Sequence, residues 1–556
     1  MTKRAYSLFI VIMLIVTVFA AACSNNNNGN NKKEPTAAPT ASSSGNGSEA
    51  AEGGKFDPPI TLTTVGTVKP TVTYENGDSV DNNPWTREYE KRFGVKFNTL
   101  WTVDASQWET KTNLMIATGD IPDFFQASPT QFKQLLESDL IEDLTAAYEA
   151  APERAKNILN EGGPEALMSA TVDGKLMAIP FTGAPKEGAP MIWLRTDWME
   201  KLSLEPPKTM DDLFAIMDAF TTKDPDGNNA ADTFGLAIDK DFSTLIGFFN
   251  SYHAYHKIWI KDAEGKLQYS SIQPEMKQAL SVLQELFKKK QIDPEFGSKD
   301  FSKVAETVVS GKVGVVIMNP YAGLYPFQSS VDQDPNAEWK AFPLVSADGQ
   351  EPKKQASLGV SGYWVVKKGV KHPEVLFNML DMWVELFYEN KDLDINKQFV
   401  NGGSSGTNEV WQMNKLAAYR AYKNADQHLK IIKALETGDT SELTGDDQSA
   451  FTNIKGFLEG DRTKWGWNVI FGEGGSMGVT NQYRQANAYV NDEFITAPLP
   501  VMSERKADLD KKELEVFTKI IIGSASIDEF DKFVAEWKKE GGDAITAEVN
   551  EWYANK

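Results

Sequence analysis

Asp173-Gly174-Lys175-Leu176-Met177-Ala178-Ile179-Pro180 is the stretch on which the reading of this chain turns. Asp-Gly is a tight-turn signal, and the apolar run behind it suits a strand. Pro180, with its fixed φ, is expected to mark the exit from a sheet into a crossing segment. Other strands are predicted at Ile60 to Val65, Val313 to Met318 and Tyr363 to Val366, each short, β-branched and bounded by Gly or polar residues. Helices lie between them. Thr209 and Asp212 have capping-box spacing ahead of Leu213, Ile216, Met217 and Phe220, which form one apolar stripe. Met276, Leu280, Leu283 and Phe287 repeat that stripe, as do Phe530, Phe533, Val534 and Trp537 between an expected N-cap at Ser526 and C-cap at Gly541. Strands alternating with helices give an α/β fold, and the sequence carries no internal repeat of the solenoid or propeller kind.

Outward from this body, the N-terminus reads differently. Lys3 and Arg4 precede an apolar run from Leu8 to Ala22, the pattern of a secretory signal over residues 1–22, too short for a stable membrane span. Cys23, the single cysteine, follows Ala20-Ala21-Ala22 as in a lipobox, although Ala20 stands where Leu is usual. Lipidation at Cys23 is the expected reading, and a stray thiol in an ordinary secreted protein is the alternative. Internal disulfides are excluded. Residues 23–55 hold an Asn run and then Pro, Ala, Ser and Gly, too few apolar groups to offset the entropy of ordering. They form a disordered tether with a reach of about 30 Å. From Phe56 to Lys556 the chain is long enough for two or three packed cores. A net charge of −21 excludes nucleic acid as a partner, since phosphate recognition needs accumulated Lys and Arg. A charged ligand in a locally basic cleft stays compatible with it.

Several segments in order resemble the extracellular solute-binding proteins of the maltose-binding type, and within them the long lipoprotein branch related to alginate-oligosaccharide binders. They run from Leu114-Met115-Ile116-Ala117-Thr118-Gly119-Asp120-Ile121-Pro122-Asp123-Phe124-Phe125 through Leu140-Ile141-Glu142-Asp143-Leu144 and the Asp173 to Pro180 stretch. Leu194-Arg195-Thr196-Asp197-Trp198-Met199-Glu200-Lys201-Leu202, Gly311-Lys312-Val313-Gly314-Val315, His372-Pro373-Glu374 and Glu548-Val549-Asn550-Glu551-Trp552-Tyr553 continue the series. The resemblance implies a two-lobed, periplasmic-binding-protein-like fold of type II, with an interlobe cleft and crossing hinge strands. It places the N-terminal lobe at 56–180 and about 361–410, and the C-terminal lobe at 181–360 and about 411–556, with the late segments partly shared between the lobes. It also implies a monomeric receptor, lipid-anchored on the extracellular face of a bacterial cell membrane. Such a receptor captures a soluble oligosaccharide by lobe closure and delivers it to the transmembrane subunits of an ABC importer.

Asp224-Pro225-Asp226-Gly227-Asn228-Asn229-Ala230-Ala231-Asp232 carries the sharpest local chemistry. Asp224, Asp226, Asn228, the Ala230 carbonyl and Asp232 match positions 1, 3, 5, 7 and 9 of a calcium loop, oxygen ligands suited to a hard cation with a structural role. Gly235 stands where a full EF-hand has Glu, and Thr233 stands where the alginate-binder branch has a last acidic ligand. The alternative is a polar surface turn. For the main ligand, aromatic groups in an interlobe cleft would stack on sugar rings. The candidates are Trp85, Trp193, Tyr321, Tyr363, Trp364, Trp465 and Trp467, with Arg195 as a two-pronged contact or, equally, an inter-element salt bridge.

A secreted carbohydrate-active enzyme is the competing class. Gly474-Gly475-Ser476-Met477-Gly478 spells a nucleophile elbow, but all four histidines precede Ser476, the wrong order for that fold. Gly402-Gly403-Ser404-Ser405-Gly406 lacks a leading strand, and His253 with His256 lacks a clear third metal ligand. A lipoprotein that presents ligand to a membrane sensor shares every feature above.

Overall fold

The computed structural model describes residues 55–69, 72–402 and 408–555. The signal, Cys23 and all of the tether except Lys55 lie outside them. Among the described residues no helix is long and apolar enough to cross a membrane.

The first lobe opens with the strand Ile60–Thr67, parallel to Val95–Val103 and joined to it by the helix Pro84–Phe93. Asn83 and Thr86 cap that helix reciprocally, and it ends on Gly94 at φ 67°, where a Cβ would meet the Phe56 carbonyl oxygen at 2.2 Å. Asp123 ties the pair to the neighbouring sheet. Its carboxylate accepts from the Thr63 N–H at 2.7 Å and the Thr63 hydroxyl at 2.8 Å. That sheet is antiparallel, with Val360–Val366 between Phe124–Ala127 and Ile179–Thr182.

Asp173 and Gly174, both at positive φ, turn a short hairpin between Thr171–Val172 and Lys175–Leu176. Pro180 lies inside the next strand, opposite Tyr363, and not at its exit. Ile179–Thr182 is an edge strand, where a missing N–H is tolerated. The crossing begins after it, at Gly183.

In the second lobe the sheet order is Trp339–Phe342, Met191–Arg195, Val313–Met318 and Phe234–Leu236, the last pair parallel and the others antiparallel. Val313–Met318 is buried along its whole length, as its continuous apolar run demands. Thr209 and Asp212 form their capping box, and Leu213, Ile216, Met217 and Phe220 all face the core. The helix Glu529–Trp537 begins two residues later than an N-cap at Ser526 suggested, with Asp528 at its N-cap, and runs into a wider turn through Gly541 at φ 138°.

Two cores result. One gathers Trp85, Phe124, Phe125, Leu380 and Trp383. The other gathers Phe220, Leu283, Phe517, Phe530 and Phe533. Each such side chain contributes about 1.5–3 kcal/mol by leaving water. Met413, Leu416 and Ala418 belong to the first core, while Ile431 and Ala434 pack in another, so a third crossing is placed at residues 419–425. The chain thus passes between lobes at 183–190, 357–359 and 419–425, the two-lobed α/β arrangement that the resemblance implied.

Candidate functional site

Three strands bring their ends to one edge of the first lobe. Ile60–Thr67 and Phe124–Ala127 finish there, and Val360–Val366 begins there directly after the second crossing. A cavity of about 350 Å³ opens at this edge. Open α/β sheets place ligands beyond the carboxyl ends of parallel strands, and the hinge segments leave from the same edge, so the cavity faces the cleft.

Trp364, Trp108 and Tyr74 supply its aromatic surface. Trp364 is half-buried, its indole N–H donating to the Ala417 carbonyl at 2.9 Å, with the ring held edge-on by Phe181. Trp108 follows the strand-to-helix turn after Val103 and rests 5.7 Å from Trp101. Thr64, Gln126, Ser128, Gln412 and Asn414 add hydroxyl and amide groups. Among the described residues the lining holds Lys69 and Lys415 but no acidic residue, against the sign of the whole chain. Lys415 donates to Asp81 at 2.9 Å and Thr99 at 2.8 Å. Burial opposes ionisation of Asp81, yet the bonds from Thr99 and Lys415 win and hold its carboxyl below the usual range. Lys69 donates to Thr67 Oγ1 at 2.8 Å, and burial lowers its pKa.

Of the eight residues singled out in the sequence for the ligand, Trp364 lines this cavity. Five others are buried and serve packing. Trp85 is fully buried against Trp383, with Nε1 donating to the Phe399 and Val410 carbonyls at 3.0 and 3.1 Å. Trp193 donates to the Asn319 carbonyl and packs on Phe327. Tyr363 stacks on Phe132 at 4.4 Å, and Trp465 donates to Glu338 at 2.9 Å. Arg195 is 3% exposed and forks onto Asp197 at 2.8 and 2.7 Å over the face of Trp198, which makes it the salt bridge of its two readings. Trp467 stacks on Phe471 in the second lobe. Tyr321 sits at the hinge, where its hydroxyl donates to Glu187 at 2.7 Å beside Asn424. Burial raises the Glu187 carboxyl against the pull of these donors and of the Ala425 N–H.

Sequence reading passed over Trp108, Tyr74, Gln126 and Gln412. Trp101 and Trp108 flank the turn at the end of a parallel strand, and that position was the available signal.

In the acidic loop, Asp224 accepts from the N–H groups of Asn228 and Asn229, each at 3.1 Å. The Asn228 amide donates to Asp226 at 2.8 Å and Asp232 at 3.2 Å, so a donor sits between two carboxylates. Burial and then the Asp224 carboxyl raise Asp226. Lys312 pairs with Asp232, and Thr233 is turned away onto the Phe220 carbonyl. The donor chemistry is that of a hard cation, yet no group of three acidic, His or Cys side chains among the described residues is drawn close enough to hold a metal as it stands.

Of the enzyme-like strings, Gly403 to Gly406 lie outside the described residues, and the others do not assemble. Ser476 is fully buried and donates to the Pro320 carbonyl at 2.8 Å, while His253 and His256 turn to separate carboxylates, Asp348 and Glu513.

Residues 85–375 match the family described as bacterial extracellular solute-binding protein. Lipoprotein LipO of Bacillus subtilis is 26% identical over 85% of this chain and 89% of its own length. The fructooligosaccharide ABC transporter substrate-binding protein FusA of Streptococcus pneumoniae is 31% identical over 41% of this chain and 44% of its own. The solved structure of the Streptococcus pneumoniae protein FusA in complex with kestose superposes with a TM-score of 0.56 at 19% identity, covering 89% of this chain and all of that one, a likeness of fold. With a family match spanning more than half its length, this chain belongs to the bacterial extracellular solute-binding proteins.

Proposed function

We propose that the protein is the extracellular capture component of an ABC importer, which takes up an oligosaccharide in the first-lobe cavity and presents it to the importer's transmembrane subunits unchanged. The observation that carries this reading is the cavity itself. Trp108, Trp364 and Tyr74 offer faces for sugar rings, and hydroxyl and amide groups surround them at the edge from which the chain crosses between lobes. FusA, described as a fructooligosaccharide binder, supports the ligand class, and the name of LipO supports a lipid anchor at Cys23. A cleft that closes on a ligand favours the closed state only as far as the ligand binds that state better.

A thermal-shift screen against neutral and uronic oligosaccharides tests this, since a specific ligand raises the melting temperature by mass action. Trp364→Ala and Trp108→Ala are each expected to weaken the sugar found by about tenfold, roughly 1.4 kcal/mol. A sugar that is consumed would make the protein an enzyme, and a panel that never shifts it would remove the receptor reading.

The acidic loop is proposed to hold calcium once Lys312 and the Asn228 amide give way, with Asp224, Asp226, Asn228, the Ala230 carbonyl and Asp232 as donors that staple the loop. Calcium should then raise the melting temperature of the natural chain and leave Asp226→Asn unmoved. Equal responses would leave the loop a polar turn.

A further inference from the structure

The third crossing is held by charges from both lobes. Arg420, in the crossing itself, donates through Nε and Nη2 to Glu161 Oε1 at 3.0 and 2.5 Å, and the Ala421 N–H donates to Glu161 Oε2 at 2.9 Å. Glu161 follows the helix Glu153–Asn160, whose Ile158 and Leu159 are buried in the first core. The same Nη2 also donates to Asp426 at 2.8 Å. Asp426 stands on the helix Lys423–Thr437, which buries Ile431 and Ala434 in the second lobe. Arg484, on the helix Ser476–Gln485, donates to the other Asp426 oxygen at 2.6 Å and lies 4.3 Å over the Tyr422 ring. One guanidinium nitrogen is therefore shared between carboxylates of two lobes.

Such a group cannot follow both. Hydrogen bonds weaken steeply once donor and acceptor part by more than a few tenths of an ångström, so rotation of one lobe against the other breaks one arm of Arg420. With both arms made, every described residue that lines the 350 Å³ cavity belongs to the first lobe.

We propose that Glu161, Arg420, Asp426 and Arg484 form an electrostatic hinge clamp that holds the ligand-free lobes apart. The clamp sets how much of a ligand's binding energy goes into closure, because a receptor biased to its open state binds with an affinity reduced by the fraction that is closed. Glu161 and Arg420 also line an open groove of about 860 Å³, so solvent ions reach the clamp and salt weakens it.

The test needs no ligand, so its outcome is separate from whether the cavity binds sugar. The full secreted chain has one cysteine, Cys23. With Cys23→Ser, spin labels go at Gln107→Cys in the first lobe and Lys289→Cys in the second, and the distance distribution is read by pulsed electron resonance. Raising salt from ~50 to ~500 mM should shift the labelled chain towards shorter, broader distances. Glu161→Gln, severing the first-lobe side, and Asp426→Asn, severing the second, should each give that shift at low salt, and the double variant no more than either alone. Distributions that stay put with salt, or variants that match the natural chain at low salt, would overturn the clamp. The salt titration uses the intact residues, so a variant that fails to fold leaves the proposal open to refutation.

Discussion

Asp492→Asn should stabilise the protein at neutral pH and leave it unchanged near pH 4. Asp492 lies just past the strand Tyr489–Asn491, on the wall of a small cavity among the crossings that Glu165 also lines. Burial pushes its carboxyl up to about 6 from 3.8, Glu493 adds to the rise, and two backbone donors and Lys506 oppose it. A raised carboxyl binds a proton in the folded state that the unfolded chain has already released. Its stabilisation is therefore complete below pH 3.8 and is lost as pH rises through about 6. A displacement of that size corresponds to roughly 3 kcal/mol at about pH 8, as an upper bound for a group that keeps some exposure. Asparagine keeps the geometry. Both donors, the N–H groups of Trp259 and Phe494, converge on Oδ1 at 3.0 Å, and an amide oxygen can take that place. Urea unfolding followed by tryptophan fluorescence should give equal midpoints near pH 4 and a gap that grows to ~2–3 kcal/mol by about pH 8. In a chain this long that is a rise of only about 2–3 °C in melting temperature, so denaturant is the better probe. A variant no more stable than the natural chain at about pH 8, or a gap independent of pH, would refute the reasoning.

Two further changes separate packing from binding. Trp85→Ala removes a fully buried indole and should cost about 3–5 kcal/mol by denaturant unfolding, while the folded fraction keeps its ligand affinity. Gly359→Ala places a Cβ 2.6 Å from the Pro185 ring at φ +74°, in the second crossing, and should cost more than ~1 kcal/mol and alter the interlobe distance distribution.

Fold and site were legible in the sequence to different depths, for a physical reason. Val313–Met318 declares itself because a strand buried on both faces must be apolar throughout, and Thr209 with Asp212 declares a helix start because both halves of the cap lie within four residues. Lobe membership and cleft membership depend on distant partners instead. Trp85 sits beside a Gly-, Asn- and Asp-rich loop and reads as a loop aromatic, but the carbonyls that receive its indole belong to Phe399 and Val410, more than 300 residues away. Trp364 and Tyr363 are neighbours in one strand and were equal candidates. The pleat sends one to the cavity and the other onto Phe132, and only the register against Phe124–Ala127 says which. Arg195 differs, since its partner Asp197 is two residues on and the salt bridge was open to local reading. The clamp belongs with Trp85. Glu161 and Arg420 are 259 positions apart, and nothing in either neighbourhood marks them as the place where two lobes share one guanidinium.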